Sequence, residues 1–149
     1  MNAVPVQITD WHLALVRGFL RQDDAKIAPM LQAVPQNEVE GTGVLMYAAF
    51  AEAVHRRFTG RPRADIIRFV ADSRVRRGRN APPVNPTIAE RLIIAALSGS
   101  PVHGLTELQR AQHIILLSEL VEDEAFTDAQ LDAFLGVART HAERIAAGL

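Results

Sequence analysis

Nine of the chain's fifteen arginines fall between residues 55 and 79, and arginine is the side chain best suited to bind phosphate or carboxylate groups. The same window holds two acids, Asp65 and Asp72, so its net charge is +7. Residues 1–54 carry a net charge of −3, and residues 80–149 carry −5. Because clustered like charge repels itself, the window predicts a compensating partner. Three partners are open: the acidic C-terminal third of the chain, an acidic protein, or a nucleic acid.

Six of these arginines flank a predicted helix, in or near turns from which they can reach outward. Contacts to nucleic acid would be mostly to phosphates, because the segment offers no exposed aromatic side chains to stack on bases. Asp72 lies four residues from both Arg68 and Arg76, a spacing that predicts helical ion pairs and a partly neutralised face. The candidate contacts to a nucleic acid or an acidic partner are Arg56, Arg57, Arg61, Arg63, Arg77 and Arg79.

Arg74 differs from the other arginines because it falls on or near the predicted apolar stripe, four residues after Val70 and seven after Ile67. A guanidinium in an apolar environment needs a carboxylate or carbonyl partner, since an unpaired buried charge is very costly. We therefore predict that Arg74 is a buried charge paired with a carboxylate.

A second cluster is acidic and runs through the sequence ELVEDEAFTDAQLD, from Glu119 to Asp132. Clustered carboxylates can bind Ca²⁺ or Mg²⁺, but this spacing is not that of an EF-hand, and no glycine supplies the sharp turn. An acid in the first turn of a helix, such as Asp128, also stabilises the helix dipole. The chain has no cysteine, which excludes disulfides, thiolate metal sites and cysteine nucleophiles. We predict no metal and no cofactor.

The five histidines do not form the pattern of a catalytic or metal site. Glu52 and His55 match one half of a di-iron helix motif, but no second pair with that spacing exists. Neither HExxH nor a glycine-rich phosphate-binding loop occurs, and a catalytic triad cannot be defined from spacing alone. No catalytic residue is therefore assigned, and a non-enzymatic protein is favoured.

Helical periodicity runs through every long apolar stretch. The predicted helices span about 10–21, 24–33, 42–58 and 64–77, and three more begin near residues 86, 107 and 128, with residues 35–43 as a loop. Their expected N-terminal caps are Asp10, Asn85, Thr106 and Thr127. Two stretches, VLMYAAFAEAV and HIILLSELV, are apolar nearly all round and predict buried helices. The expected fold is all-α, an irregular orthogonal bundle of six or seven helices around two buried helices.

The length predicts a single helical domain over residues 1–149, in which residues 1–9 can form an extended arm. We expect a cytoplasmic protein with no membrane partner, because the chain shows no signal peptide and no apolar run of spanning length. The amount of apolar helix surface, together with the opposite charges of the two segments, predicts a homo-oligomer, specifically a dimer.

Three functional hypotheses follow from these patterns. The first is a helical interaction or regulatory protein that associates with itself and with an unidentified partner. The second is a nucleic-acid-binding regulator that uses the basic segment from Arg56 to Arg79. The third is a small-ligand binder or enzyme with a pocket between helices, where Arg74 and His55 or His12 would converge.

Overall fold

The computed structural model describes residues 6–34, 38–77, 83–99 and 107–148. These ranges contain seven α-helices and no strand, which confirms the all-α fold class. Residues 6–9 of the predicted arm are neither helix nor strand, and residues 1–5 lie outside the described residues. The helices are α1 (Asp10–Leu20), α2 (Asp24–Gln32), α3 (Val39–Phe58), α4 (Arg63–Arg77), α5 (Pro86–Ser98), α6 (Glu107–Glu124) and α7 (Asp128–Ala146).

The chain divides into two compact units. The first unit comprises Met1–Ala49 and Ala125–Leu149, and the second comprises Phe50–Glu124. The first therefore contains α1, α2, α7 and the beginning of α3, whereas the second contains the rest of α3 with α4, α5 and α6. The single domain expected from the length stays a prediction.

Helix starts in the first unit follow local capping chemistry. The predicted cap of α7 is confirmed, because the Thr127 hydroxyl accepts from the Gln130 N–H at 3.2 Å and the Gln130 side chain accepts from the Thr127 N–H at 2.9 Å. The predicted cap of α1 is wrong by one residue. Thr9 is the cap, and its N–H donates to His12 Nδ1 at 2.9 Å, whereas Asp10 is the first helical residue.

The start of α3 is earlier than predicted, at Val39 rather than Thr42 or Gly43. Gly41 lies in the first turns, and a Cβ atom added to it would come within 2.6 Å of His12 Nε2. Because His12 is buried, Gly41 allows the helix backbone to approach the imidazole ring. The glycine therefore serves close packing inside a helix, where the sequence had suggested a loop.

Two helices are buried along their central stretches, as predicted. No residue from Leu45 to Val54 in α3 is exposed, and none from Gln112 to Val121 in α6. The α3 stretch combines alanines with large apolar side chains, whereas the α6 stretch is built mainly from leucine and isoleucine.

The loop before α5 is fixed by one polar side chain of α6. Gln112 Nε2 donates to the Pro83 carbonyl at 3.0 Å, and its Oε1 accepts from the Asn85 N–H at 2.9 Å. The predicted cap of α5 is confirmed, because the Asn85 side chain accepts from the Ile88 N–H at 3.1 Å. Thr106, the predicted cap of α6, lies outside the described residues.

The buried stripe of α4 differs from the predicted one. Ile66, Phe69, Val70 and Ser73 are buried, at helical spacings of three and four. Ile67, which the sequence placed on the apolar stripe, is 48% exposed, and the second valine of the helix, Val75, is 81% exposed. The buried face of α4 is therefore rotated by about one residue from the predicted face. This rotation decides which charged side chains of α4 reach solvent.

Candidate interaction surface

Four arginines of the basic window are paired with carboxylates near the C-terminal end of α6. Arg76 is the centre of this cluster, because it contacts Asp123 through both terminal guanidinium nitrogens, Nη1 and Nη2, and reaches Glu119 with 3.0 Å between Nη2 and Oε2. The acidic segment therefore offsets part of the basic window within the chain itself. The other pairs join Arg77 to Glu119 (3.5 Å), Arg56 to Glu124 (3.4 Å) and Arg57 to Asp123 (3.9 Å).

The deepest group of this paired cluster is Glu119, which is 6% exposed. A buried carboxylate requires compensation, and two guanidinium groups supply it. Arg76 also donates to the hydroxyl of the buried Ser73 at 3.3 Å. The hydrogen bond that Arg76 donates to Asp123 is the main cause that raises the pKa of Arg76 above its ordinary value. These four arginines and three carboxylates serve to hold α4 and the end of α3 against α6.

The other four described arginines of the window are exposed and have no such partner. In the ranges that the structure describes, no carboxylate lies within 4.0 Å of their guanidinium groups. Two of the four, Arg61 and Arg63, were candidate contacts predicted from the sequence. The other two, Arg68 and Arg74, were not.

The prediction that Arg74 is buried is wrong, because the structure places it on the exposed side of α4. The reason is the position of the inward stripe: Arg74 follows Ile67 by seven residues and shares its side of the helix, and Ile67 is itself half-exposed. The preceding residue, Ser73, is the polar side chain that is buried in this turn of α4. No carboxylate within the described ranges pairs with Arg74.

The six candidate contacts predicted from the sequence fall into three groups. Arg56, Arg57 and Arg77 belong to the paired cluster, so they are held by carboxylates rather than reaching outward alone. Arg61 and Arg63 are exposed in and beside the turn before α4, as expected. Arg79 lies outside the described residues.

The predicted ion pairs of Asp72 do not form. Arg76 turns to α6 instead, and Asp72 lies beyond salt-bridge distance of both Arg68 and Arg76. Asp72 instead lines a cavity of about 350 Å³, over the rings of Phe58 and Phe69, whose centroids are 5.6 Å apart. Four arginines and three aspartates surround this cavity, so its charges nearly cancel.

The two flanks of α4 differ in charge. Positions nine residues apart, about two and a half turns, lie on opposite sides of a helix. Arg74 is therefore opposite Asp65, and Arg63 is opposite Asp72. One flank carries Arg63, Ile67 and Arg74, and Ala71 and Val75 lie beside it. All five residues are exposed, and none of them is acidic. We call these five residues the basic–apolar face.

The histidines proposed for a pocket have other partners. His12 is 1% exposed, with its Nε2 at 2.7 Å from Glu38 Oε2 and its Nδ1 bound by Thr9. His55 is exposed, and its Nδ1 lies 3.4 Å from the Thr59 hydroxyl. His113 is buried in α6 with its ring 4.6 Å from that of Phe50, and burial lowers its pKa to about 4.

The described part of the chain contains neither a metal-binding cluster nor a membrane-spanning helix. There, no group of three or more His, Asp or Glu side chains is placed to hold a metal ion. None of the helices in the same ranges is both long and apolar enough to cross a membrane.

Comparison with protein-family models, with curated proteins and with solved structures finds no match to this chain. Inference about its function therefore depends on the geometry of α4 and its surroundings.

Proposed function

We propose that this chain is a non-enzymatic interaction protein that binds an acidic partner protein through α4 and the turn before it. The supporting observation is that Arg61, Arg63, Arg68 and Arg74 are exposed and beyond salt-bridge distance of every described carboxylate. Arg61 and Arg68 line the nearly neutral cavity that Asp65 and Asp72 also line, whereas Arg63 and Arg74 lie on the flank without an acid. Like charges on that flank repel each other, and an acidic surface relieves the repulsion on binding. Such charge complementarity also speeds association and excludes basic partners.

The apolar residues beside these arginines favour a protein over a nucleic acid. Ile67 and Val75 are exposed next to Arg63 and Arg74, and a phosphate backbone offers nothing apolar to cover them. Protein interfaces combine apolar cores with charged rims, so a protein partner can use both residue types. Nucleic-acid binding remains the second candidate, supported by the same four arginines.

Homodimerisation stays a prediction, and the structure weakens its electrostatic basis. Of the nine acids in residues 80–149, six already form salt bridges with arginines of their own chain. Pairing within the chain lowers what these acids would gain by meeting the basic window of a second copy. The six are Glu119, Asp123, Glu124, Asp128, Asp132 and Glu143.

The test is a titration of the protein with fluorescently labelled poly-L-glutamate and with a labelled DNA duplex, at about 0.05 M and about 0.2 M salt. We expect binding to polyglutamate that weakens about tenfold in the double variant Arg63→Gln/Arg74→Gln, because two of the four arginines are removed. The matched control is Arg91→Gln/Arg144→Gln, which changes two exposed arginines elsewhere and should leave the affinity unaltered.

Two outcomes would contradict the proposal. Binding to neither polymer at low salt would remove the basis for any acidic partner. Binding to DNA alone, with a log–log salt slope of about −3.6 for four phosphate contacts, would replace it with the nucleic-acid candidate.

A further inference from the structure

The basic–apolar face is a linear stripe with charges near its ends. Ile67 and Val75 are eight residues apart, so they are separated by about 12 Å along the helix axis. Arg63 and Arg74 are eleven residues apart, about 16 Å along the same axis. A partner that covers the stripe must therefore be elongated, with apolar side chains over about two helical turns and acidic groups at a wider spacing.

A cleft adjoins the C-terminal half of this face. It has a volume of about 460 Å³ and lies between α4 and the segment just before α5. Ala71, Arg74, Val75 and Arg77 of α4 line it together with Pro83 and Val84. A cleft of this size can take one large apolar side chain, with a basic group beside it to receive a neighbouring carboxylate.

We propose that the basic–apolar face binds an amphipathic, acidic helix of a partner protein, with one large apolar side chain in the cleft beside Val75. This inference rests on the proposed function and specifies the form of its partner. A helix presents apolar side chains at i, i+4 and i+7 along one stripe, which matches the length from Ile67 to Val75. Its flanking acids can then reach Arg63 at one end and Arg74 at the other.

Charge argues against a second copy of this chain on the same face. In a symmetric dimer each patch meets its own copy, so an interface built on α4 would bring the Arg63 and Arg74 side chains near those of the partner. Like charges across an interface are strongly unfavourable. The acids of α4 do not relieve this, because Asp65 and Asp72 lie on the opposite flank.

The experiment uses the full chain and a labelled synthetic peptide of about 16 residues, with leucines at i, i+4, i+7 and i+11 and with glutamate and alanine elsewhere. We expect measurable binding that weakens at least about tenfold in the double variant Ile67→Ser/Val75→Ser, because the apolar contact is lost. Val137→Ser is the matched control, since Val137 is a half-exposed valine of α7, and it should not change the affinity. Circular dichroism of each variant checks that it remains folded.

Polyglutamate separates this inference from the proposed function. The Ile67→Ser/Val75→Ser variant should bind polyglutamate as the original chain does, because its arginines are intact. If the peptide binds equally well to both chains, or equally well after its leucines are replaced by glutamine, the helix inference is wrong and the acidic-partner proposal stands. If neither peptide nor polyglutamate binds, both fail, and binding to duplex DNA alone identifies a nucleic-acid surface instead.

Discussion

The two flanks of α4 carry the same side chain in opposite surroundings. Arg76 contacts two carboxylates of α6 and the hydroxyl of the buried Ser73. Arg74, two residues earlier, is exposed, with no carboxylate among the described residues in reach. Two residues correspond to about 200° around a helix, so the two guanidinium groups leave on nearly opposite sides. The described part of the basic window thus has two surfaces, one paired with carboxylates of α6 and one exposed to solvent.

Net charge in a sequence window therefore does not measure a binding surface. A charge that is paired with a partly buried carboxylate contributes to folding, and removing it leaves the carboxylate uncompensated. An exposed charge without a partner contributes little to folding, and its effect is seen when another molecule binds. Substitutions on the two flanks should therefore change different measured quantities.

The largest expected effect separates the buried side of α4 from its exposed side. Val70 is 1% exposed and Val75 is 81% exposed on the same helix. We expect Val70→Ala to lower the free energy of unfolding by about 2–3 kcal/mol, because it removes buried methyl groups and leaves a cavity. Val75→Ala should change it by less than about 0.5 kcal/mol. Urea denaturation measures both, and equal losses would contradict the assignment of the two sides.

A smaller effect separates the two charged flanks. We expect Arg76→Ala to lower the free energy of unfolding by about 1–2 kcal/mol, because Glu119 is buried and would keep only Arg77. Arg74→Ala should stay within about 0.5 kcal/mol of the original chain, since no described carboxylate depends on it. The same change at two positions of one helix makes each variant the control for the other. A larger loss for Arg74→Ala than for Arg76→Ala would reverse the comparison.

The smallest expected change is the pH dependence of stability in mild acid. It tests whether the buried His113 or the charged flanks of α4 cause that dependence. Burial lowers the pKa of His113 to about 4, so the unfolded chain takes up its proton first as the pH falls below about 6.5. The contribution of the neutral His113 to the free energy of unfolding is fully present above pH 6.5 and is lost progressively toward pH 4. Between pH 6.5 and 5.5 the loss should be about 1 kcal/mol, and it should be absent in His113→Leu.

The two flank variants supply the control for this pH dependence. Arg74→Ala and Arg76→Ala both keep His113, so their stability should fall with pH as steeply as that of the original chain. A shallower dependence in Arg76→Ala would mean that the salt bridges, rather than the imidazole in α6, respond to pH in this range.

The sequence was sufficient for the helices because their signals are local. Caps such as Asn85 and Thr127 act within one turn, and the apolar stretches of α3 and α6 are long enough to require burial. The start of α3 was missed because it depends on contact between Gly41 and His12, which are 29 positions apart. A glycine that allows close packing and one that ends a helix look the same in a sequence.

The candidate surface was predicted only in part, for two physical reasons. The α4 sequence carries apolar residues on adjacent stripes, so Ile67 and Val75 were as apolar as the residues that are buried, and the buried position at Ser73 is polar. The partners of Arg76 are 43 and 47 positions away on α6, beyond anything that helical spacing can show. Asp72, at the expected spacing of four, forms no such pair. Spacing identified the arginines, and only the packing of α4 against α6 separated them into two groups.

The cations of the basic–apolar face are arginines without exception, and the whole chain has one lysine, Lys26. A guanidinium stays protonated throughout the physiological pH range, and lysine acetylation, which removes charge, has no target on this face. Arginine methylation would block some hydrogen bonds but would keep the positive charge. The electrostatic attraction of α4 is therefore constant. If α4 binds an acidic helix as proposed, a change of charge on the partner would be the way to alter that attraction, and each phosphate added to the partner helix would tighten the association.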